Sequence, residues 1–141
     1  MSSFRYRRSR QRDCMLQLMK STSAHPTAIW IYDRLKEDIE NLSIGTVYRN
    51  LKVLLDQNMI KRIESGRNYD CYDADTSPHY HFLCSGCDAI YDLDLDHISE
   101  LDNEAAEKTG FIVKEHQIRF YDLCKACQLS DEQVIEQVNI E

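Results

Sequence analysis

Two Cys-x-x-Cys pairs, Cys84-Ser-Gly-Cys87 and Cys124-Lys-Ala-Cys127, limit the folds open to this chain more than any other feature of its sequence. Each is a tight turn, with Gly86 expected to give the first its backbone freedom. Together they can present four thiolates tetrahedrally to one ion, the closed arrangement of structural zinc. Such a site would staple the segment between the pairs into one small domain. A redox dithiol is the competing reading, but thioredoxin-like motifs come singly and in a strand–helix context. Cys14 and Cys71 stand outside the pattern, and both read as packing thiols.

The chain has 141 residues, enough for one ordinary domain or two very small ones. No apolar run approaches a membrane span, and the Arg-rich start is not followed by the apolar stretch of a secretory signal. A cytoplasmic location with no membrane partner is therefore expected, and there paired cysteines point to metal rather than disulfides. The net charge of -7 hides a division. Through Arg67 there are 13 Lys/Arg against 7 Asp/Glu, and from Asn68 onward 4 against 17. A basic half suits a polyanion such as DNA, and an acidic half suits cations and self-association.

The basic half has a helical pattern. Cys14, Met15, Leu18 and Met19 recur at helical spacing, and His25-Pro26-Thr27-Ala28 opens a second run with Ala28, Ile31, Tyr32, Leu35 and Ile39 on one side. Ser43 is an expected N-cap for a third helix striped by Ile44, Val47, Leu51, Leu54 and Leu55. Opposite that stripe lie Gly45, Tyr48, Arg49 and Lys52, chemistry suited to a major groove, although a solvated helix face has the same look. Residues 59–64 and 69–72 then flank Ser65-Gly66-Arg67-Asn68 as a hairpin. Three helices and a hairpin describe a winged helix-turn-helix. Met15, Met19 and Met59 read as core filler.

The acidic half changes to strands around one helix. Strands are expected at His79–Leu83, Ala89–Leu93 and Phe111–Leu123, with an amphipathic helix from Ile98 to Thr109 stopped by Gly110 and another helix from Asp131 to Asn139. On the first strand His79 and His81 share a face while Cys84 has the opposite parity, so the histidines do not complete the thiolate site. Their nearby partners are Asp73 and Asp92, an N/O set that favours Fe(II) or Mn(II) over a Cys-rich zinc site. The competing reading is a solvent-exposed polar strand end. His97, in an acidic loop, reads as exposed.

Taken together, His25-Pro-Thr-Ala, Ser43-Ile-Gly-Thr-Val-Tyr-Arg-Asn-Leu, Tyr72-Asp73, His79-x-His81 and the two Cys-x-x-Cys pairs resemble the ferric uptake regulator superfamily, most closely its peroxide-sensing branch. The resemblance runs from about Gln11 to Cys127. It implies an α+β chain with a winged-helix DNA-binding domain over residues 1–72, a hinge over 73–78 and a small α/β dimerisation and metal-binding domain over 79–141. It adds His25 to the regulatory set, giving His25, Asp73, His79, His81 and Asp92 around one Fe(II) or Mn(II) per subunit, beside one structural zinc on Cys84, Cys87, Cys124 and Cys127. Asp rather than Glu at positions 73 and 92 leans toward peroxide sensing. A further metal site of the iron-sensing branch is expected to be absent, because Pro78 and Tyr80 stand where ligands would and only His116 matches.

What the resemblance implies for function is a metal-dependent repressor. As a homodimer it would present Arg12, Gly45, Thr46, Tyr48, Arg49 and Lys52 to a pseudo-palindromic operator in double-stranded DNA. Hydrogen peroxide would act through Fe(II)-catalysed oxidation of His25 or His79, releasing metal and DNA; the alternative is a plain Fe(II) or Mn(II) availability sensor. No enzyme is expected: a zinc deaminase needs His-x-Glu and Pro-Cys-x-x-Cys, and the chain has neither. A purely structural zinc module would leave His25 and the aspartates without work.

Overall fold

The structure is a computed structural model that describes residues 7, 9–64 and 68–130. The chain divides into two compact units, Met1–Ser77 and Pro78–Glu141. The expected hairpin-turn residues Ser65, Gly66 and Arg67 and the expected helix Asp131–Asn139 lie outside the described residues.

The first unit runs α1 (Arg10–Lys20), α2 (Ala28–Leu35), α3 (Ile44–Asp56), β1 (Lys61–Ile63) and β2 (Cys71–Asp73). Each helix begins at a hydroxyl cap: Ser9, Thr27 and Ser43 accept from the backbone N–H of Arg12, Trp30 and Thr46. Pro26 sits just ahead of the Thr27 cap, where its missing N–H costs nothing. Met15, Met19, Ala28, Ile31, Val47, Leu51, Leu54, Ile60 and Tyr72 form one buried core. Truncating a residue such as Ile31, fully buried there, would cost about 2–5 kcal/mol. β1 and β2 pair antiparallel, Lys61 with Asp73 and Ile63 with Cys71.

Three sequence expectations need correction in this unit. Helix α2 stops at Leu35, so Ile39 packs at the core edge from a turn. Ile44 is 38% exposed because it opens α3, before the helix reaches the core. Met59 is 44% exposed, since Asn58 adopts a left-handed conformation (φ 58°) and turns the chain outward there.

The second unit comprises β3 (Tyr80–Cys84), β4 (Ile90–Leu93), α4 (Glu100–Thr109) and β5 (Arg119–Asp122), in one sheet ordered β4-β3-β5. β3 pairs antiparallel with β4, aligning His81 with Asp92, and parallel with β5, aligning Cys84 with Asp122. The parallel pairing brings the C-terminal ends of β3 and β5 together, and each end leads into a Cys-x-x-Cys turn. Gly110 closes α4 in the left-handed region at φ 73°, as the sequence suggests. The expected strand from Phe111 to Leu123 contracts to Arg119–Asp122. Phe111 and Ile112 are 72% and 100% exposed, so their apolar character reflects no burial within this unit. Helix α4 buries no residue, and its apolar face is not core either.

Candidate functional site

The thiolate cluster is assembled by the two turns that the sheet brings side by side. One Sγ each from Cys84, Cys87, Cys124 and Cys127 lies within 4.8 Å of the others, and Cys87 and Cys124 Sγ are 3.7 Å apart. Zinc–sulfur bonds of about 2.3 Å in a tetrahedron require sulfurs separated by about 3.8 Å, so the donor set and its spacing fit zinc. Cys84 is the best-supported sulfur, accepting N–H groups from Gly86 (3.3 Å), Cys87 (3.5 Å) and Cys124 (3.3 Å). These bonds, the one from Cys124 first, draw its thiol down to about 6. Cys127 is pushed up to about 12, first because its hydrogen bond with Cys84 holds the proton on its own sulfur. The cluster thus separates one ready thiolate from one firmly held thiol.

Gly86 earns its place differently from the sequence expectation. It is not among the positive-φ residues; instead a Cβ there would stand 2.9 Å from Cys127 Sγ and 3.1 Å from Cys127 Cβ. Space rather than backbone freedom calls for glycine.

In the first unit, His25 Nε2 lies 3.5 Å from Asp73 Oδ2, with both side chains nearly buried. The pairing follows from one backbone bond: Tyr72 N–H donates to the Pro26 carbonyl at 3.0 Å, docking the end of β2 on the loop that carries His25. Asp73 Oδ1 accepts the Asp75 N–H at 2.9 Å, which orients the carboxylate.

In the second unit, Asp92 Oδ1 lies 3.1 Å from His79 Nε2 and 3.2 Å from His81 Nε2. The two imidazoles meet edge to face, with centroids 4.5 Å apart. Two nitrogens and one carboxylate oxygen thus converge, an arrangement that suits a hard-to-borderline divalent cation. The register that sets His81 opposite Asp92 supplies this convergence, and His79 follows it by sharing the face.

On α3, Val47, Asn50, Leu51, Val53 and Leu54 are buried, while Gly45, Tyr48, Arg49 and Lys52 are exposed on the other side. Thr46 is half-buried, its hydroxyl 2.9 Å from that of Ser43. Arg12 is half-buried on α1, and its guanidinium donates to the Arg7 carbonyl.

The sequence linked Tyr80 and His116 only as positions of a further metal site expected to be absent, and the polar cluster they form with His97 and Asp102 was missed. His97, expected to be exposed, is half-buried and stacks on His116, with ring centroids 4.5 Å apart at 15°. His116 Nδ1 lies 2.8 Å from Asp102 Oδ1, and its Nε2 lies 2.8 Å from the Tyr80 hydroxyl. These residues come from separate elements, and no local spacing joins them.

Comparison with known proteins gives a consistent picture. The sequence profile of the ferric uptake regulator family matches residues 4–121. The peroxide-responsive repressor PerR of Staphylococcus aureus is 36% identical over 118 residues, 84% of this chain and 80% of the relative. Among solved structures, the Campylobacter jejuni peroxide stress regulator aligns with a TM-score of 0.71 at 30% identity, covering 82% of this chain and 87% of its own. The Helicobacter pylori ferric uptake regulator, described as having three functional metal binding sites, aligns with a TM-score of 0.74 at 25% identity, covering 86% and 82%.

Proposed function

The chain belongs to the ferric uptake regulator family and is a metal-responsive regulator, not an enzyme; on that premise we propose that it is a DNA-binding transcriptional repressor that senses hydrogen peroxide. The observation that carries the metal part of this reading is the convergence of His79 and His81 Nε2 on one oxygen of Asp92. In this reading the His25–Asp73 pair joins them on one regulatory Fe(II) or Mn(II), and Cys84, Cys87, Cys124 and Cys127 hold a structural zinc.

Ligands drawn from both units give the metal its leverage. A cation held by His25 and Asp73 on one side and by His79, His81 and Asp92 on the other favours whichever arrangement of the units brings all five together. Its differential affinity is what shifts the equilibrium. In a homodimer that arrangement presents two copies of α3, each with Gly45, Thr46, Tyr48, Arg49 and Lys52, to a pseudo-palindromic operator, with Arg12 near its backbone. Family regulators of this kind are dimeric DNA-binding proteins. The exposure of Phe111, Ile112 and Tyr121 supports a homodimer formed through the second unit. No helix among the described residues is long and apolar enough to cross a membrane, and a cytoplasmic location belongs to this reading.

Peroxide sensing rests on the similarity to peroxide-responsive relatives and on aspartate at positions 73 and 92. Bound Fe(II) would supply reducing chemistry toward hydrogen peroxide beside the imidazoles of His25 and His79. Oxygenation of either ring removes a nitrogen donor, and with it the shared hold on the two units. The four sulfurs form a closed set and serve stability.

A gel-shift titration on a pseudo-palindromic operator tests both levels. With Mn(II), binding should appear and survive peroxide. With Fe(II), it should appear and be lost on peroxide treatment, with one added oxygen on the His25 or His79 peptide by mass spectrometry. Persistent binding without added oxygen would make the protein a plain metal-availability sensor, and binding indifferent to either ion would remove the metal-dependent reading.

A further inference from the structure

Tyr80 lies between His79 and His81, and its side chain leaves β3 on the opposite face, where it is 3% exposed. Its hydrogen bonds fit one consistent set of proton positions. The Asp102 carboxylate can only accept, so His116 Nδ1 donates to it at 2.8 Å. A neutral ring then offers Nε2 as an acceptor, and the Tyr80 hydroxyl donates to it at 2.8 Å. The same hydroxyl oxygen accepts the Ile98 N–H at 2.9 Å. For a neutral His116 ring this network is that of the Nδ1–H tautomer.

The relay joins α4 through Asp102, the segment before β5 through His116, the loop before α4 through Ile98, and β3 through Tyr80. His97 covers the His116 ring, and its centroid lies 5.4 Å from that of Tyr80. His79 precedes the first residue of β3, and the β3–β4 ladder begins with Tyr80 opposite Leu93. Tyr80 is therefore the first ladder residue after His79, and the immediate neighbour of His81.

We propose that Asp102, His116 and Tyr80 are positioning residues for His79 and His81. Pinning the back of β3 holds the two Nε2 atoms in convergence on Asp92, while no member of the relay touches the bound ion. The inference rests on reading His79, His81 and Asp92 as ligands of the regulatory cation. It assigns the cluster a role in tuning metal affinity that packing alone would not give.

The test uses the full-length, zinc-loaded protein and equilibrium titration with Mn(II). Tyr80→Phe removes one oxygen and keeps the ring, and Asp102→Ala removes the carboxylate from a helix that tolerates alanine, so either reads the effect should the other fold poorly. Each should weaken Mn(II) binding about tenfold, the lower end for partners outside the ligand sphere. The double variant should lose no more than the single ones, because the relay acts as a unit. Imidazole nitrogen NMR should report His116 as the Nδ1–H tautomer in the parent, with Nε2 moving in Tyr80→Phe. Lower melting temperatures with unchanged Mn(II) affinity would reduce the cluster to packing and overturn the proposal, as would single effects that multiply in the double variant. His79→Ala separates the two levels: if it leaves Mn(II) affinity intact, the ligand assignment fails and the proposal falls with it. If it abolishes binding while both relay variants bind normally, the relay alone is refuted.

Discussion

His81 Nε2 faces Asp92 Oδ1 at 3.2 Å across the β3–β4 pair, and that one oxygen also takes the approach of His79 at 3.1 Å. Asp92→Ala deletes the point of convergence and keeps both imidazoles. Mn(II) affinity should fall by more than the tenfold to hundredfold that outer-sphere partners cost, because a direct donor and its negative charge are lost. Zinc content should stay the same, since the cysteines are supported by other bonds. Calorimetric titration with elemental analysis checks both, and parent-like Mn(II) binding would exclude Asp92 as a ligand.

Cys127 leaves no room for a side chain at Gly86. Gly86→Ala would place a methyl 2.9 Å from Cys127 Sγ, and Leu123 Cδ2 at 3.2 Å blocks an easy shift. Overpacking of this kind costs about 1–3 kcal/mol, here taken largely from the geometry that zinc requires. The variant should surrender zinc to a colorimetric chelator about tenfold faster than the parent, within that energetic range. Release at the parental rate would mean that the two turns part without strain.

Asp122 adopts φ 149°, a region that L side chains rarely occupy, two residues before Cys124. Its carbonyl is held there by the Ser85 N–H at 2.8 Å and the Ser85 hydroxyl at 3.3 Å, so the conformation is built into the join between the two turns. Such strain costs on the order of 1–3 kcal/mol. Asp122→Gly should remove it, less the greater entropy that glycine gives the unfolded chain, for a net gain of about 1 kcal/mol. Chemical denaturation of the zinc-loaded protein measures this, and a loss of stability would show that the Asp122 side chain has an offsetting role.

What could be read before the fold was known divides along physical lines. The α3 stripe, the Ser43 cap and the β1–β2 hairpin were legible because periodicity, capping and turn chemistry are local. The paired cysteines were legible because metal geometry dictates spacing. The His25–Asp73 contact was not, since it depends on one backbone bond between Tyr72 and Pro26, and only family resemblance suggested His25. Phe111 and Ile112 misled because apolar character was equated with strand, whereas β5 exists only where it pairs with β3, from Arg119. His97 and His116 stayed invisible as a pair because parallel β3–β5 pairing and α4 bring together residues that carry no local signal.

The thiolate cluster also predicts how zinc retention varies with pH. Cys84 sits at about 6, below the ordinary thiol value of 9.0, so its contribution to the metal-free fold is complete above about pH 9 and is lost as pH falls through about 6. Cys127 sits at about 12, above that value, so its contribution is complete below about pH 9 and is lost as pH rises toward 12. Near neutral pH zinc therefore meets a prepared thiolate at Cys84 and must displace the proton of Cys127. Zinc affinity should rise by about tenfold per pH unit for each proton displaced. Competition against a chelator of known pH dependence, from about pH 6.5 to 8.5, gives that slope, and titrations in buffers of different ionisation enthalpy count the protons. In Cys127→Ala one displaced proton disappears, so the slope should fall by about one unit while binding weakens. A slope unchanged by that substitution would show that Cys127 binds zinc without giving up a proton, and would contradict the assignment.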